Sequence, residues 1–402
     1  MTEDTRDELR RLWVLIAIAF VDMIGFAIIF PILPFYVLEL KATPFTVGLI
    51  AAGFSAAQIL SAPLWGRVSD RYGRRPALLI GLTASCIAYV VFGLANAVWL
   101  LFVSRLIQGA GGGTTGVAQA YITDSVVPSS RARALGWLSA ATSAGVMIGP
   151  VLGSVAAHWG RQAPGFLAAA LCLLNALCAW RWLPESRVAH TGPPPPRKPV
   201  WAAAWHVISH PSAPAPRMIW IYGVGMLAFS AVTAVLALYL GARFGVTATS
   251  IGPYYLYIGA LSVVLRSLLL GPIVDRLGET WTMRAGALAL VVGLLLYPLA
   301  TSIPMLLLVM PLVPIGTALL FPATTSLIAA ATAPEETGTV MGVAQTWAGM
   351  ARVVAPLLST AAFERAVWMP FVGAAVVVAI VTVLAFRVPV VPPRRARAPA
   401  TA

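Results

Sequence analysis

The sequence GRVSDRYGRR at residues 66–75 lies between two long apolar segments and carries one aspartate and four arginines. A less complete copy, GPIVDRLG at residues 271–278, also lies between two apolar segments, about 205 residues further along the chain. Glycines in both stretches allow a tight turn around the charged residues. A charged turn that recurs at half the chain length indicates a molecule built from two related halves.

The composition places most of this chain in lipid. Of its 402 residues, 59% are hydrophobic and only 10% are charged, whereas a soluble domain carries about 25% charged residues. The net charge of +13 would suit a nucleic-acid binder, but the arginines fall in short loops between apolar runs, where they set membrane orientation. We therefore predict an all-α integral membrane protein with the lipid bilayer around it and no nucleic-acid partner.

Twelve apolar stretches are long enough to cross a bilayer, which takes roughly 20 residues. An even number of spans leaves both termini on the same side of the membrane. The predicted transmembrane helices are residues 12–38, 46–65, 77–96, 98–121, 134–158, 164–183, 218–242, 250–271, 282–300, 304–329, 338–360 and 367–386.

The basic residues indicate on which side of the membrane the two termini lie. On one face the loops carry only Lys41, Arg161, Arg243 and Arg365, and most of the 27 basic residues fall on the opposite face. By the positive-inside rule, the arginine-rich face and both termini are cytoplasmic. We expect a multi-pass protein of the inner (cytoplasmic) membrane.

These spans divide the chain into five parts. A cytoplasmic N-terminal tail (1–11) precedes a six-helix bundle (12–183), and a basic cytoplasmic tail (387–402) follows a second six-helix bundle (218–386). The proline-rich segment 184–217 joins the bundles on the cytoplasmic side. Its apolar residues favour a short helix on the lipid surface, and a disordered linker is the alternative.

Nothing in the sequence is typical of an enzyme or of a cofactor site. The three cysteines lie in apolar segments without ligand-like spacing, and the four histidines lie at span ends or in the linker. We find no GxxxxGK[ST] phosphate loop and no convincing pair of nucleophile and base. We therefore expect no enzymatic activity, no cofactor and no metal.

A second repeat supports the two-half design. GPVL at residues 149–152 in the fifth span matches APLL at residues 355–358 in the eleventh, with nearly the same spacing as the charged turns. Because each half has an even number of spans, the two copies have the same orientation. The predicted fold is therefore two six-helix bundles related by a pseudo-twofold axis along the membrane normal, with a substrate site at mid-depth between them.

Four stretches together resemble the major facilitator superfamily, and specifically its twelve-helix drug:proton antiporters, the group that contains the tetracycline exporters. Residues 66–75 are similar to the signature loop between helices 2 and 3, which in that family latches the two bundles on the cytoplasmic side. By its position, Asp70 can also cap a nearby helix N-terminus. The resemblance implies a cytoplasmic gate or latch formed by Gly66, Asp70, Arg71, Gly73, Arg74 and Asp124, with a weaker copy at Asp275 and Arg276.

The sequence DMIG at residues 22–25, in the first span, resembles the family's first-helix motif. Asp22 is the only acidic residue that we place well inside a span, roughly 15 Å deep at 1.5 Å per residue. A lone ionisable group at that depth is costly and by default functional. We expect Asp22 to carry the proton; the alternative is a static partner of an arginine.

The sequence RLIQG at residues 105–109, in the fourth span, resembles the family motif whose arginine is linked to proton movement. Arg105 cannot lose its charge, so it must point into the protein toward a carboxylate, a dipole or water. Asp22 is the carboxylate available in the same bundle, and we expect Arg105 to favour its charged form. The alternative is a fixed, hydrogen-bonded arginine that braces the helices.

The fifth span resembles the motif found in the family's antiporters and generally missing from its symporters. Gly145, Gly149, Pro150 and Gly153 carry this resemblance, which implies export. Small residues give one smooth helix face and the proline loosens the hydrogen-bond ladder, as a rocking interface needs. A generic packing face is the alternative.

Aromatic and polar residues within the spans are candidates for the substrate cavity, because ligand pockets usually combine an apolar wall with a few polar points. The arginines among them could attract an anionic group, or instead snorkel or bind backbone carbonyls. One departure puts tetracycline itself in doubt, since the third-helix aspartate of its exporters falls here at about Ala88. The candidates are Phe26, Gln58, Gln119, Tyr222, Phe229, Arg266, Gln345 and Arg352.

Taken together, the residues and the resemblance predict a monomeric secondary active transporter. Its partners would be protons and an amphiphilic small-molecule substrate, which it would export by alternating access as a multidrug efflux protein. An importer or facilitator of a small solute, such as a sugar or an organic acid, is one alternative. A transporter-like assembly factor for a membrane complex, which moves nothing, is the other.

Overall fold

The computed structural model describes residues 3–186, 205, 207–333 and 336–390, and every regular element in these residues is helical. The predicted all-α class is therefore confirmed for the described chain. The helices are α1 (Glu3–Ile29), α2 (Leu33–Glu39), α3 (Pro44–Tyr72), α4 (Arg74–Gly93), α5 (Val98–Gly111), α6 (Thr114–Ser125), α7 (Pro128–Ala156), α8 (Ala163–Trp182), α9 (Pro214–Phe244), α10 (Gly252–Val264), α11 (Leu270–Leu277), α12 (Glu279–Leu296), α13 (Ile303–Val309), α14 (Leu312–Ala330), α15 (Thr337–Arg365) and α16 (Met369–Phe386).

Four of the predicted spans are interrupted. The first span breaks between α1 and α2 beside Pro31, and the tenth breaks between α13 and α14 at Pro311. Proline removes a backbone donor and clashes with the preceding turn, so a break there is expected. The fourth span breaks at Gly112 between α5 and α6, and the eighth contains a π-helical turn, Leu265–Leu269, between α10 and α11.

Ten segments of the described chain are long and apolar enough to cross a membrane. The two other predicted spans are residues 98–121, which the α5–α6 break divides, and residues 338–360, which lie within the 29-residue helix α15. Large apolar side chains such as Leu60 (75% exposed) and Leu308 (79% exposed) lie on the outside, as lipid surroundings require. The count of twelve is consistent with these helices and stays a prediction.

By their internal packing, the residues form two compact units. Unit 1 comprises Met1–Gly192 and Gly245–Gly259, and unit 2 comprises Pro193–Phe244 and Ala260–Ala402. The domain boundaries given by the sequence stay a prediction. In the predicted linker, the described residues 205 and 207–209 are helical, and whether this helix lies on the lipid surface stays a prediction. The rest of the predicted helix, most of the linker and the end of the C-terminal tail lie outside the described residues, at 187–204, 206 and 391–402.

The two charged turns have closely similar backbones. Gly73 ends α3 with φ of 108° and ψ of 160°, and Gly278 ends α11 with φ of 79° and ψ of 163°. A residue with a side chain rarely adopts such positive φ angles, so glycine is required at both positions. The predicted tight turn is present in each copy and starts a new helix immediately, α4 in unit 1 and α12 in unit 2.

Candidate functional site

Asp22 lies inside unit 1, at the beginning of another helix. Its side chain belongs to α1, the residue is only 9% exposed, and its Oδ2 accepts a hydrogen bond from Thr114 Oγ1 at 3.0 Å. Thr114 is the first residue of α6. A helix N-terminus presents unpaired N–H groups and the positive end of its dipole, so it favours a carboxylate. This placement gives Asp22 a favourable partner, and the ion pairs of the described residues do not include Asp22.

The beginning of α6 is fixed by the break in the fourth span. Carbonyls at the end of α5 accept hydrogen bonds from α3: Ser61 Oγ donates to Gly109 O at 3.3 Å, and Trp65 Nε1 donates to Ala110 O at 2.6 Å. Gln58 Nε2 donates to Gly112 O at 3.5 Å. Unpaired backbone groups inside a membrane are energetically costly, and the hydrogen bonds from these donors offset that cost at the break. The α6 N-terminus is thus held in place for Asp22.

A small cavity lies beside the Asp22 carboxylate. Its volume is about 20 Å³, and its polar lining comes from Asp22, Thr114, Thr115 and Thr142. That volume is sufficient for about one water molecule. The other lining residues are apolar, so the carboxylate lies next to a small and mostly apolar cavity inside unit 1.

Arg105 does not form the predicted pair with Asp22. In the part of the chain that the structure describes, the ion pairs do not include Arg105, and its Nε and Nη2 are buried without a hydrogen-bond partner. Next along the same helix, Gln108 Nε2 donates a 2.6 Å hydrogen bond to the Tyr89 hydroxyl. The proton-coupling role of Arg105 stays a prediction.

Two arginines with two aromatic rings between them form a column that runs from Arg105 to Arg161 in unit 1. The Arg105 guanidinium lies 5.5 Å from the Phe92 ring centre, and the Phe92 and Tyr36 rings are stacked at 5.6 Å. Arg161 lies 5.5 Å from the Tyr36 ring and 3.8 Å from Glu39 Oε2. Because cations are attracted to ring faces, the column joins the buried arginine to an ion pair at the surface.

The predicted latch residues meet at Arg74. Its Nε donates to Asp124 Oδ2 at 2.8 Å, and its Nη1 donates to Ser69 Oγ at 2.8 Å and to Asp70 Oδ1 at 2.5 Å. Arg74 and Asp124 are 13% and 11% exposed, whereas Asp70 is 69% exposed. The structure thus brings together three of the predicted residues, and their action as a gate stays a prediction.

Asp70 does not cap the next helix. The α4 N-terminus is capped by Glu185, whose Oε1 accepts from Arg74 N at 2.8 Å and whose Oε2 accepts from Arg75 N at 3.2 Å. Asp70 is instead held by the Arg74 side chain one turn away. Glu185 lies 111 residues after Arg74 along the chain, so no local signal pointed to it.

The other predicted latch residues make fewer contacts. Arg71 lies 5.4 Å from the Tyr72 ring, and a side chain added at Gly66 would meet no atom within 4 Å, so close packing does not require that glycine. In the second copy, Asp275 and Arg276 form no ion pair among the described residues. The weaker latch at this copy stays a prediction.

The glycines of the antiporter-like helix α7 pack against α1. A methyl group at Gly145 would lie 2.5 Å from Phe20 O, and one at Gly149 would lie 2.5 Å from Ala27 Cβ; Gly153 faces Ile28 O in the same way. The predicted smooth face therefore exists, and it lets α7 approach the helix that carries Asp22. Its role as a rocking interface stays a prediction.

The substrate-cavity candidates of unit 1 lie in different surroundings. The Phe26 ring lies 5.6 Å from the Phe54 ring and 5.9 Å from the Phe30 ring, so it belongs to an aromatic cluster. Gln58 is committed to the α5–α6 break. Gln119 is exposed on α6. Of the two glutamines, Gln119 is the more exposed.

In unit 2, three of the candidates form one cluster. Gln345 Nε2 donates to Tyr222 Oη at 3.4 Å, and the Tyr222 and Phe229 rings lie edge-on to Phe321 at 5.5 Å and 6.2 Å. Beside them, Trp347 Nε1 is buried without a hydrogen-bond partner. Buried donors normally have a partner, so this indole N–H is an exception within the cluster.

Arg266 and Arg352 also belong to unit 2, and both side chains are exposed. Arg266 lies in the π-helical turn Leu265–Leu269. Single π turns inside α-helices occur frequently at functional sites. Neither arginine forms an ion pair in the described part of the chain, so both charges are available to an anionic group.

Comparison with known proteins decides the family. The model of the Major Facilitator Superfamily matches residues 15–269 and 258–402 of this chain. The chain belongs to the Major Facilitator Superfamily. This confirms the resemblance on which the candidate residues were chosen.

Relatives within the superfamily cover almost the whole chain. It is 28% identical to tetracycline resistance protein, class G, of Vibrio anguillarum, over 88% of this chain and 91% of that protein. It is also 28% identical to multidrug resistance protein 2 of Bacillus subtilis, over 90% of each chain. Among solved structures, the human organic anion transporter MFSD10 (TETRAN) has a similar fold, with a TM-score of 0.69, 22% identity and coverage of 94% and 99%.

Membership of the superfamily establishes the general class of this protein. It is a multi-pass membrane protein of a transporter family, and a small molecule is the class of substrate that the family implies. The all-helical membrane fold predicted from the sequence is confirmed.

Proposed function

We propose that this superfamily member exports amphiphilic small molecules from the cytoplasm in exchange for protons, by alternating access, as a monomer in the inner membrane with both termini inside. The names of its relatives support export of drugs as a class. Ala88 is completely buried and cannot replace the third-helix aspartate of the tetracycline exporters, so we favour other amphiphilic substrates over tetracycline.

The observation that carries this proposal is the position of Asp22 at the α6 N-terminus, beside a cavity with room for about one water molecule. Charged Asp22 is attracted to the α6 dipole, and protonation removes that attraction. A protonation step would therefore change how firmly α1 is held to α6. Since a ligand can shift an equilibrium only through different interactions with its two states, this change is the means by which a proton could bias transport.

The decisive experiment measures the direction in which substrate moves relative to protons. Purified protein in liposomes would be given an imposed pH gradient and either ethidium or tetracycline as the probe. The proposal expects ethidium to accumulate on the side from which protons leave. Movement of a probe together with protons would support the importer instead, and no gradient-dependent movement across a panel of dyes, drugs and organic acids would support the assembly factor.

A further inference from the structure

A groove in unit 2 lies between the beginning of α9 and the end of α16. Its volume is about 370 Å³. Its lining includes Trp220, whose ring lies 5.7 Å from the Trp347 ring. The α16 wall consists of Val377, Ile380, Val381 and Leu384, spaced i, i+3, i+4 and i+7 as on one helix face. The groove is therefore a continuous apolar channel along a helix.

One end of the groove is polar and positively charged. Pro211, Ser212, Arg217 and Arg387 line this end, while Val224 continues the apolar wall on α9. Arg217 donates from Nη1 to Arg387 O at 2.9 Å and from Nη2 to Ser212 O at 2.6 Å. A guanidinium has five N–H donors, so three of them remain. Arg387 is exposed.

The length of the groove matches one leaflet of a bilayer. Val377 and Arg387 are ten residues apart, which corresponds to about 15 Å along a helix. The hydrocarbon core of a membrane is about 30 Å thick, so one leaflet is about half of that. A molecule with a charged head at the arginines and an acyl chain along α16 would fit this depth.

We infer that this groove binds an anionic phospholipid, with its phosphate at Arg217 and Arg387 and one acyl chain against the α16 face. Basic pockets between membrane helices bind anionic headgroups in this way. Charge excludes the chain's own C-terminal tail as the occupant, because residues 391–402 contain three arginines and no acidic residue. The inference does not depend on the proposed transport reaction.

The test is lipid binding to the purified full-length protein, measured by native mass spectrometry. The protein would be titrated with phosphatidylglycerol and with phosphatidylethanolamine of the same acyl chains. We expect tighter binding of phosphatidylglycerol, and we expect Arg387→Gln to weaken it about fivefold, since each basic residue near a membrane surface contributes about that factor. Arg243→Gln, the same change at the opposite end of α9, is the matched control and should leave binding unchanged.

A second pair of variants tests the acyl-chain channel without changing any charge. Ile380→Trp would fill the groove and is expected to weaken phosphatidylglycerol binding several-fold. Val383→Trp is its control, because Val383 and Ile380 are 60% and 61% exposed on the same helix and only Ile380 lines the groove. Both are surface positions, so neither variant should prevent folding.

Three results would overturn the inference. The first is that phosphatidylglycerol and phosphatidylethanolamine bind equally well, with the same affinity for wild type and for Arg387→Gln. The second is equal loss in Ile380→Trp and Val383→Trp, which would place the lipid elsewhere on α16. The third is full displacement of the lipid by inorganic phosphate with no effect of Ile380→Trp, which would identify a free-anion site in place of a lipid site.

Discussion

The loop after α3 and the loop after α11 share a backbone and differ in their charges. Both end in a glycine with positive φ, Gly73 and Gly278. In the first loop Arg74 joins Asp70 and Asp124, whereas the repeat spacing places Glu279 and Ala329 at the positions of Arg74 and Asp124. Glu279 accepts a hydrogen bond from Ser326 Oγ at 2.8 Å instead. The repeat has kept the turn that the fold needs, while its electrostatics have diverged.

The same contrast appears where each unit closes the turn against its last helix. In unit 1 the segment after α8 contributes the Glu185 carboxylate to the α4 N-terminus. In unit 2 the segment after α16 contributes backbone carbonyls, and Thr280 donates to Pro389 O and Arg284 to Val388 O. At this turn, unit 1 therefore uses a carboxylate of the segment that follows its last helix. Neutral and backbone contacts take its place in unit 2.

The largest expected effect comes from removing the charge that distinguishes the first loop. Arg74→Gln leaves the Asp124 carboxylate, only 11% exposed, without its cation, and should lower the free energy of unfolding by about 3 kcal/mol. Glu279→Gln, the change at the corresponding position, should lower it by about 1 kcal/mol. Thermal unfolding of the two purified variants in detergent checks the difference, and equal losses would remove the contrast between the loops.

A second comparison uses the helix pair α1 and α7. The spacing of the APLL repeat places Ala355 where unit 1 has Gly149, so Gly149→Ala copies the second half into the first. A methyl group there would lie 2.5 Å from Ala27 Cβ and 2.8 Å from Ile24 O, and overpacking of this kind costs about 2 kcal/mol. Gly136→Ala on the same helix meets no atom within 4 Å and serves as the control. A stable Gly149→Ala variant would show that α1 and α7 separate easily.

Loss of the Glu185 cap should have a smaller effect. Glu185→Ala removes a carboxylate that accepts from two backbone N–H groups of α4, and removal of a helix cap costs about 1 kcal/mol. Ser186→Ala is the neighbouring control. Hydrogen exchange at the beginning of α4 should become faster in Glu185→Ala alone, and unchanged exchange would mean that the cap is dispensable.

The smallest effect is expected at Asp70. Its side chain is 69% exposed, and an exposed ion pair contributes about 0.5 kcal/mol. Asp70→Asn should therefore shift thermal unfolding far less than Arg74→Gln. A shift as large as that of Arg74→Gln would instead place the main ion pair of the loop at Asp70.

The sequence predicted the features that depend on local pattern. Apolar runs predicted where the helices lie, and the lone acid in the first span predicted a buried Asp22, which is 9% exposed. The repeat predicted two turns with glycine at fixed positions, and both are present. These features follow from periodicity and from the cost of charge in lipid, which are properties of single segments.

The features that the sequence did not predict depend on residues far apart in the chain. Thr114 is 92 residues from Asp22, and the break that makes it a helix N-terminus is held by donors from α3. The sequence also provided no indication of the role of Arg284. This residue of α12 is only 5% exposed, and its side chain donates to the carbonyls of Ala385, Phe386 and Val388. Hydropathy shows a charge in a span but not the carbonyls that it reaches.

The central claim is that Asp22 carries the proton, and Asp22→Asn in liposomes tests it most directly. The variant keeps the size of the side chain and cannot ionise. Asp4→Asn, the same change in the N-terminal tail, is the control. The account predicts that Asp22→Asn still exchanges labelled substrate across the membrane at equilibrium but no longer accumulates it under an imposed pH gradient. Accumulation at the wild-type level in Asp22→Asn would contradict it.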